Sequence, residues 1–207
     1  MWSGVELRSD LSERLLFLRA FVAHPRRVGA VVPTSGRAVS DMLDMAAVEQ
    51  AGLVVELGSG TGSHTGAVLA RMGPQARLLA FEIDPALAEA VRHKLPDSRL
   101  EVINQSAEDL ESVLAGRRPD VVVSALPFTS LPAGTGRLIL ESVARVLAPG
   151  GTLLVLQYSG FLGPELRRLF ATIRRRVCLV NVPPAFLYDC REPRAAALSP
   201  AEPGAEQ

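Results

Sequence analysis

The sequence predicts a doubly wound α/β domain on a mostly parallel sheet, and three observations carry that prediction. Between residues 52 and 157, five short apolar runs alternate with helical patterns, the signature of repeated β-α units. The runs are nearly continuous in Val, Leu and Ile, as expected of strands covered on both faces. At 207 residues, 48% of them hydrophobic, the chain is long enough for one domain with a well-buried core.

The expected strands are residues 53–57, 77–83, 100–103, 120–126 and 152–158. Between them lie expected helices at 63–72, 85–95, 107–115 and 136–147. The second opens on Pro85 just after Asp84, where proline is pre-organised for a first turn. The fourth stops at Ala148-Pro149-Gly150-Gly151. Ahead of the first strand, helices are expected at 5–22 and 37–47, the latter with Ser35 or Thr34 placed to cap it. After the fifth strand, a helix over 164–173 leads to apolar runs at 177–182 and 185–189. These two are expected to close the sheet as an antiparallel edge, for seven strands in all. Residues 191–207 are Ala, Pro, Glu and Ser with little to bury, and read as a disordered tail. The organisation is therefore 1–34, a helix and loop; 35–190, the α/β domain; and 191–207, the tail.

Lys plus Arg equals Asp plus Glu at 22 each, which argues against nucleic-acid binding driven by overall charge. Cys178 and Cys190 are too few for a disulfide framework and have no zinc-site spacing, which fits a reducing cytoplasm with no metal. The first ten residues carry acids and no signal-peptide core. No uncharged apolar run reaches the ~18 residues of a spanning helix.

The first expected strand runs into Glu56-Leu57-Gly58-Ser59-Gly60-Thr61-Gly62. Glycines here let the backbone pass close to a ligand, and the helix behind offers unpaired amides. The second strand ends Phe81-Glu82-Ile83-Asp84, where an acid can accept both ribose hydroxyls of a nucleoside. Glu82 is the first candidate and Asp84 the second. His64 reads as a polar residue of the helix start. The alternate-glycine turn resembles motif I of S-adenosylmethionine methyltransferases. That resemblance implies a Rossmann-like class I methyltransferase fold, with S-adenosylmethionine held by Glu56, Gly58, Ser59, Gly60, Thr61, Gly62, Glu82 and Ile83, and by Ser106, Ala107 and Ser124. Ser106 stands where the motif implies an aspartate for the adenine amino group.

The fourth strand ends Val123-Ser124-Ala125-Leu126-Pro127-Phe128, at the edge that faces the reacting group in doubly wound folds. Nucleobase N-methyltransferases place Asn-Pro-Pro-Tyr or Asn-Leu-Pro-Tyr there. This chain keeps Leu126 and Pro127 but has Ala125 and Phe128. Ser124 and Tyr158 are the candidate catalytic side chains, and the Ala125 and Leu126 carbonyls are backbone candidates. The chain as a whole resembles the bacterial phospholipid N-methyltransferases in four blocks: residues 21–35 (FVAHPRRVGAVVPTS), the glycine turn, Ser124-Ala125-Leu126-Pro127, and Asn181-Val182-Pro183-Pro184-Ala185.

That resemblance implies methylation of phosphatidylethanolamine towards phosphatidylcholine by an enzyme peripheral to the inner face of the cell membrane. Arg26, Arg27, Thr34, Leu126, Pro127 and Tyr188 are the candidate substrate contacts. Leu7, Leu11, Leu15, Leu18 and Val22 form one stripe flanked by arginines, so residues 5–22 can lie on an anionic membrane surface or pack on the core. Five arginines, Arg167, Arg168, Arg174, Arg175 and Arg176, fall near the expected end of helix 164–173. They suit either an anionic surface or the helix dipole. The alternatives are an rRNA adenine N-methyltransferase, a small-amine methyltransferase and a non-catalytic cofactor-binding protein.

Overall fold

A computed structural model describes residues 35–180 and 183–195. The expected helix at 5–22, the loop carrying Arg26, Arg27 and Thr34, and Asn181 and Val182 lie outside the described residues.

Seven strands form one sheet in the order β3-β2-β1-β4-β5-β7-β6. They are β1 (Leu53–Leu57), β2 (Arg77–Phe81), β3 (Leu100–Ile103), β4 (Val121–Ser124), β5 (Thr152–Gln157), β6 (Phe170–Cys178) and β7 (Ala185–Pro193). The ladders among β1 to β5 are parallel. β7 runs antiparallel to both β5 and β6, so β6 has the same sense as β5. The helices are α1 (Gly36–Leu43), α2 (Ser63–Arg71), α3 (Pro85–Lys94), α4 (Leu110–Leu114), α5 (Thr135–Val146) and α6 (Gly163–Leu169).

Burial follows from strand alternation. Val55, Leu57, Val122, Leu153 and Val155 face one layer, with Leu110, Leu140, Val143 and Leu166 from α4, α5 and α6. Val54, Val121, Val123, Leu154 and Leu156 face the other, with Met42, Leu43, Val68 and Leu69 from α1 and α2. Two caps are as the sequence indicates. Ser35 accepts from the Ala38 N–H, and Asp84 Oδ1 accepts from the Ala86 and Leu87 N–H groups.

Three expectations are corrected. The helix expected to reach residue 47 ends at Leu43, and the chain tightens through i to i+3 bonds, Met45 N–H to Met42 O and Ala46 N–H to Leu43 O. The helix expected over 164–173 ends at Leu169. Phe170 to Cys178 instead pair with β7, because β-branched Thr172, Ile173 and Val177 suit a strand and the ladder outweighs a local helical pattern. Arg174, Arg175 and Arg176 are therefore strand residues, and only Arg167 and Arg168 sit in a last helical turn. Residues 191–193, expected in the tail, belong to β7, which runs to Pro193. Polar pairs hold this stretch: Arg191 Nε to Asp189 at 2.9 Å and Thr172 Oγ1 to Glu192 at 2.6 Å. A reading based on apolar burial does not register them.

Candidate active site

Strand order reverses at β1, with β2 and β3 on one side and β4 and β5 on the other. In open α/β sheets ligands bind at the strand carboxyl ends at such a switch point. The glycine turn lies there. Gly58, Gly60 and Gly62 all have positive φ, and the Gly58 and Ser59 N–H groups both donate to Phe81 O at 2.9 Å, lashing the turn to the end of β2. Gly62 caps α2 with no side-chain bond at the helix start. His64 is the second residue of α2, a polar residue of the helix start as expected, and burial lowers its pKa.

Gly58 shows why this position excludes a side chain. With φ +80°, a Cβ there would lie 2.7 Å from Leu126 Cδ2, whereas nothing stands within 4 Å of a Cβ on Gly60. The turn thus packs closed against the loop after β4 and open on its other side. Gly58→Ala is expected to lower cofactor affinity by at least about tenfold and to cost about 1–3 kcal/mol of stability, read by calorimetry and thermal unfolding. Leu126 lines the pocket below and would be driven into it.

Glu82, 2% exposed, accepts from the Gly60 N–H at 2.7 Å through Oε2 and from the Asp84 N–H at 2.9 Å through Oε1. Its pKa is raised by burial, an effect that those two amides counter. Asp84 is engaged as the α3 cap, so of the two acids Glu82 is the one that faces the pocket. That pocket encloses about 540 Å³ including its open side. It is lined by Gly58, Phe81, Glu82, Ile83 and Leu126, by Gln105, Ser106, Ala107 and Glu108, and by residues of the α5 side such as Leu131 and Ile139. Ser106 Oγ lies 3.2 Å from Glu108 Oε2 and also accepts from the Glu108 N–H. A carboxylate thus stands in the pocket wall two residues beyond the expected position. Only its place in the folded turn reveals Glu108.

Among the described residues, buried side-chain polar atoms without a hydrogen-bond partner belong to Glu56, Ser59, Thr65 and Tyr188. Three of those four residues surround the glycine turn, and such groups ordinarily find partners. Glu56 is 1% exposed, and burial pushes its pKa up to about 7. The Thr65 hydroxyl counters this in part and the Glu82 carboxylate adds to it. An unpaired carboxyl beside two unpaired hydroxyls fits the amino-acid end of a ligand, and the apolar pocket with Glu82 at its mouth fits a nucleoside end.

The expected transfer residues separate. Ser124 is fully buried, and its Oγ accepts from the Leu126 N–H at 3.3 Å, so its hydroxyl shapes the loop. The Leu126 carbonyl accepts from Gln157 Nε2 at 2.7 Å and from the Phe128 N–H at 2.9 Å, which occupies both its lone pairs. Gln157, not anticipated from the sequence, thus fixes this loop. Tyr158 is half-buried at the end of β5. Tyr188, 2% exposed, belongs to the core with Val155, Leu166 and Phe170. This corrects its expected place on the substrate surface: its residue alternates inward on β7, a strand covered on both faces.

A switch-point crevice closed by a glycine turn, with an acid from each of β1 and β2 and the sheet order above, defines a Rossmann-like class I methyltransferase that uses S-adenosylmethionine. Residues 54–151 match the family model described as a methyltransferase domain. The chain is 31% identical over 186 residues to the ornithine lipid N-methyltransferase of Singulisphaera acidiphila, covering 87% of this chain and 97% of that protein. It belongs to the methyltransferase family of that relative. The ribosomal RNA small subunit methyltransferase H of Verminephrobacter eiseniae is 39% identical over 87 residues, 42% of this chain but 25% of that protein. Among solved structures, the N-methyltransferase NodS of Bradyrhizobium japonicum WM9 in complex with S-adenosyl-L-homocysteine superposes with a TM-score of 0.69. The identity is 16%, over 87% of this chain and 98% of that one, a likeness of fold.

Proposed function

We propose that this enzyme methylates the amine of a membrane amino lipid, either phosphatidylethanolamine or an ornithine lipid, while docked peripherally on the membrane. The observation that carries this reading is the match to a lipid N-methyltransferase over nearly the whole of both chains. The ribosomal RNA relative matches over a quarter of its length. The loop after β4 supports the same choice, since Ala125 and Phe128 replace the Asn and Tyr of nucleobase enzymes.

S-adenosylmethionine, when bound, supplies an electrophilic methyl group on a sulfonium sulfur. Glu56, Ser59 and the glycine turn hold its amino-acid end, Glu82 its ribose, and Phe81, Ile83, Ala107 and Leu126 pack its base beside Ser106 and Glu108. The protein's task is alignment of the amine with the methyl group, and the amine must arrive without its extra proton to have a lone pair. The Ala125 carbonyl and the half-buried Tyr158 at the end of β5 are the groups proposed to orient the amine hydrogens. Arg26, Arg27 and Thr34 are proposed to hold the lipid phosphate or its counterpart.

Incubation with labelled S-adenosylmethionine and either amino-lipid vesicles or total RNA tests the reading: label enters the lipid, and label in RNA alone would refute it. Tyr158→Phe is expected to lower kcat less than about tenfold, because positioning and desolvation dominate. A loss of about 10²- to 10⁴-fold, the range that one general base supplies, would overturn that account.

A further inference from the structure

We propose that the sheet rim formed by the carboxyl ends of β5 and β6 and the amino end of β7 is a docking surface for a bilayer bearing anionic headgroups. The inference rests on the lipid reading above and names the face that meets the membrane.

Exposed large apolar side chains converge on this rim. Phe161 in the loop after β5 is 83% exposed, Leu179 75% and Val180 73%, with Val177 at 43%. Because β6 shares the sense of β5, Val177, Leu179 and Val180 come to the same edge of the sheet as the carboxyl ends of β1 and β4, where the crevice opens. The loop after β5 is tied to that rim, since the Phe186 ring lies 3.8 Å from where a Cβ on Gly160 would stand. Phe186 itself pairs with Val177 on β6. Scattered exposed apolar residues are ordinary, but four of them at the one edge of the sheet where the crevice opens suit an interaction surface.

Charge identifies the occupant. From Leu166 to Tyr188 the chain carries five arginines and no acid, although the whole chain is neutral. Arg174, Arg175 and Arg176 are exposed on the edge strand. Arg174 leans on buried Asp189 at 3.6 Å, and Arg175 lies over the Phe186 ring at 5.9 Å. Neither Arg175 nor Arg176 forms a salt bridge with a carboxylate among the described residues. Apolar side chains at the tip with arginines behind them match an interface whose interior is hydrocarbon and whose headgroups are anionic. Docked this way, the crevice opens towards the leaflet that holds the substrate amine. The strand edge is also protected, since arginines discourage pairing with another sheet.

Flotation of the full-length protein with phosphatidylcholine vesicles, with and without phosphatidylglycerol, tests this. Arg175→Gln with Arg176→Gln is expected to weaken binding to the anionic vesicles by about 10- to 30-fold, and Arg175→Lys with Arg176→Lys to restore most of it. Phe161→Ser with Leu179→Ser is expected to weaken binding to both vesicle types. Thermal unfolding and cofactor affinity close to wild type confirm that the variants are folded. Anionic-vesicle binding within twofold of wild type for either the Gln or the Ser pair overturns the proposal. Neither vesicle contains a methylatable amine, so docking is read separately from catalysis. Wild-type docking on these vesicles together with no methylation of separately added phosphatidylethanolamine or ornithine-lipid vesicles would refute the substrate reading alone.

Discussion

Glu82→Ala is expected to lower the affinity for S-adenosylmethionine by at least about 100-fold, the largest binding effect of any single change in the site. Three functions end together. The Gly60 N–H loses its acceptor at 2.7 Å, the Asp84 N–H loses its acceptor at 2.9 Å, and the ribose loses its carboxylate. A hydrogen bond to a charged group is worth roughly 1.5–3 kcal/mol, so losing the two proposed from the ribose hydroxyls gives roughly 3–6 kcal/mol, a factor of about 10² to 10⁴. Glu82→Gln keeps one acceptor oxygen and should fall between, near tenfold. Titration calorimetry reads both variants, and an alanine variant within fivefold of wild type would remove Glu82 from the cofactor site.

The second large effect has opposite signs on stability and binding. The buried Glu56 carboxylate has no hydrogen bond of ordinary length, the nearby Thr65 hydroxyl only partly offsets the cost of burial, and its pKa is raised from 4.5 to about 7. The folded, unliganded protein therefore prefers the neutral acid. Its contribution is harmless below the ordinary carboxyl range and becomes a destabilisation as pH rises from about 4.5 to 7. Above that range the penalty is about 3 kcal/mol, from the size of the shift. Glu56→Gln removes a buried charge that forms only at higher pH. The unliganded variant should match wild type near pH 5 and unfold several degrees higher at pH 8. Cofactor affinity should nevertheless drop about 10- to 100-fold, because the carboxylate is the group that receives the ligand's ammonium. A variant no more stable than wild type at pH 8 would show that Glu56 has a partner in the free protein.

Much of this architecture was legible from residue pattern. β1 and β3 keep the predicted limits, and Pro85 after Asp84 marked both a helix start and its cap, because those signals are local. The glycine turn and Glu82 were legible for the same reason: close backbone approach needs glycine, and an acid at the end of β2 has a fixed place beside it. What escaped depends on packing between distant segments. Gln157 holds Leu126 across 31 residues, and no spacing rule connects them. Tyr188 looked like a substrate contact because tyrosine suits one, yet it lies on β7, which inserts between β5 and β6, and its side chain is buried with Val155, Leu166 and Phe170. The boundary between α6 and β6 was missed because Leu166, Leu169, Phe170 and Ile173 repeat with helical period. Pairing with β7 decides the matter at Phe170. The β6 rim emerged only when the arginines moved from a helix end to an edge strand.

The most direct test of the central claim is the chemical location of the transferred methyl group. The purified full-length protein is given S-adenosylmethionine with phosphatidylethanolamine and ornithine lipid in mixed vesicles, and the lipids are analysed by fragmentation mass spectrometry. The account predicts added methyl groups on a headgroup nitrogen, absent when Glu82→Ala replaces the wild type. Methylation of added RNA with both lipids unchanged would contradict it.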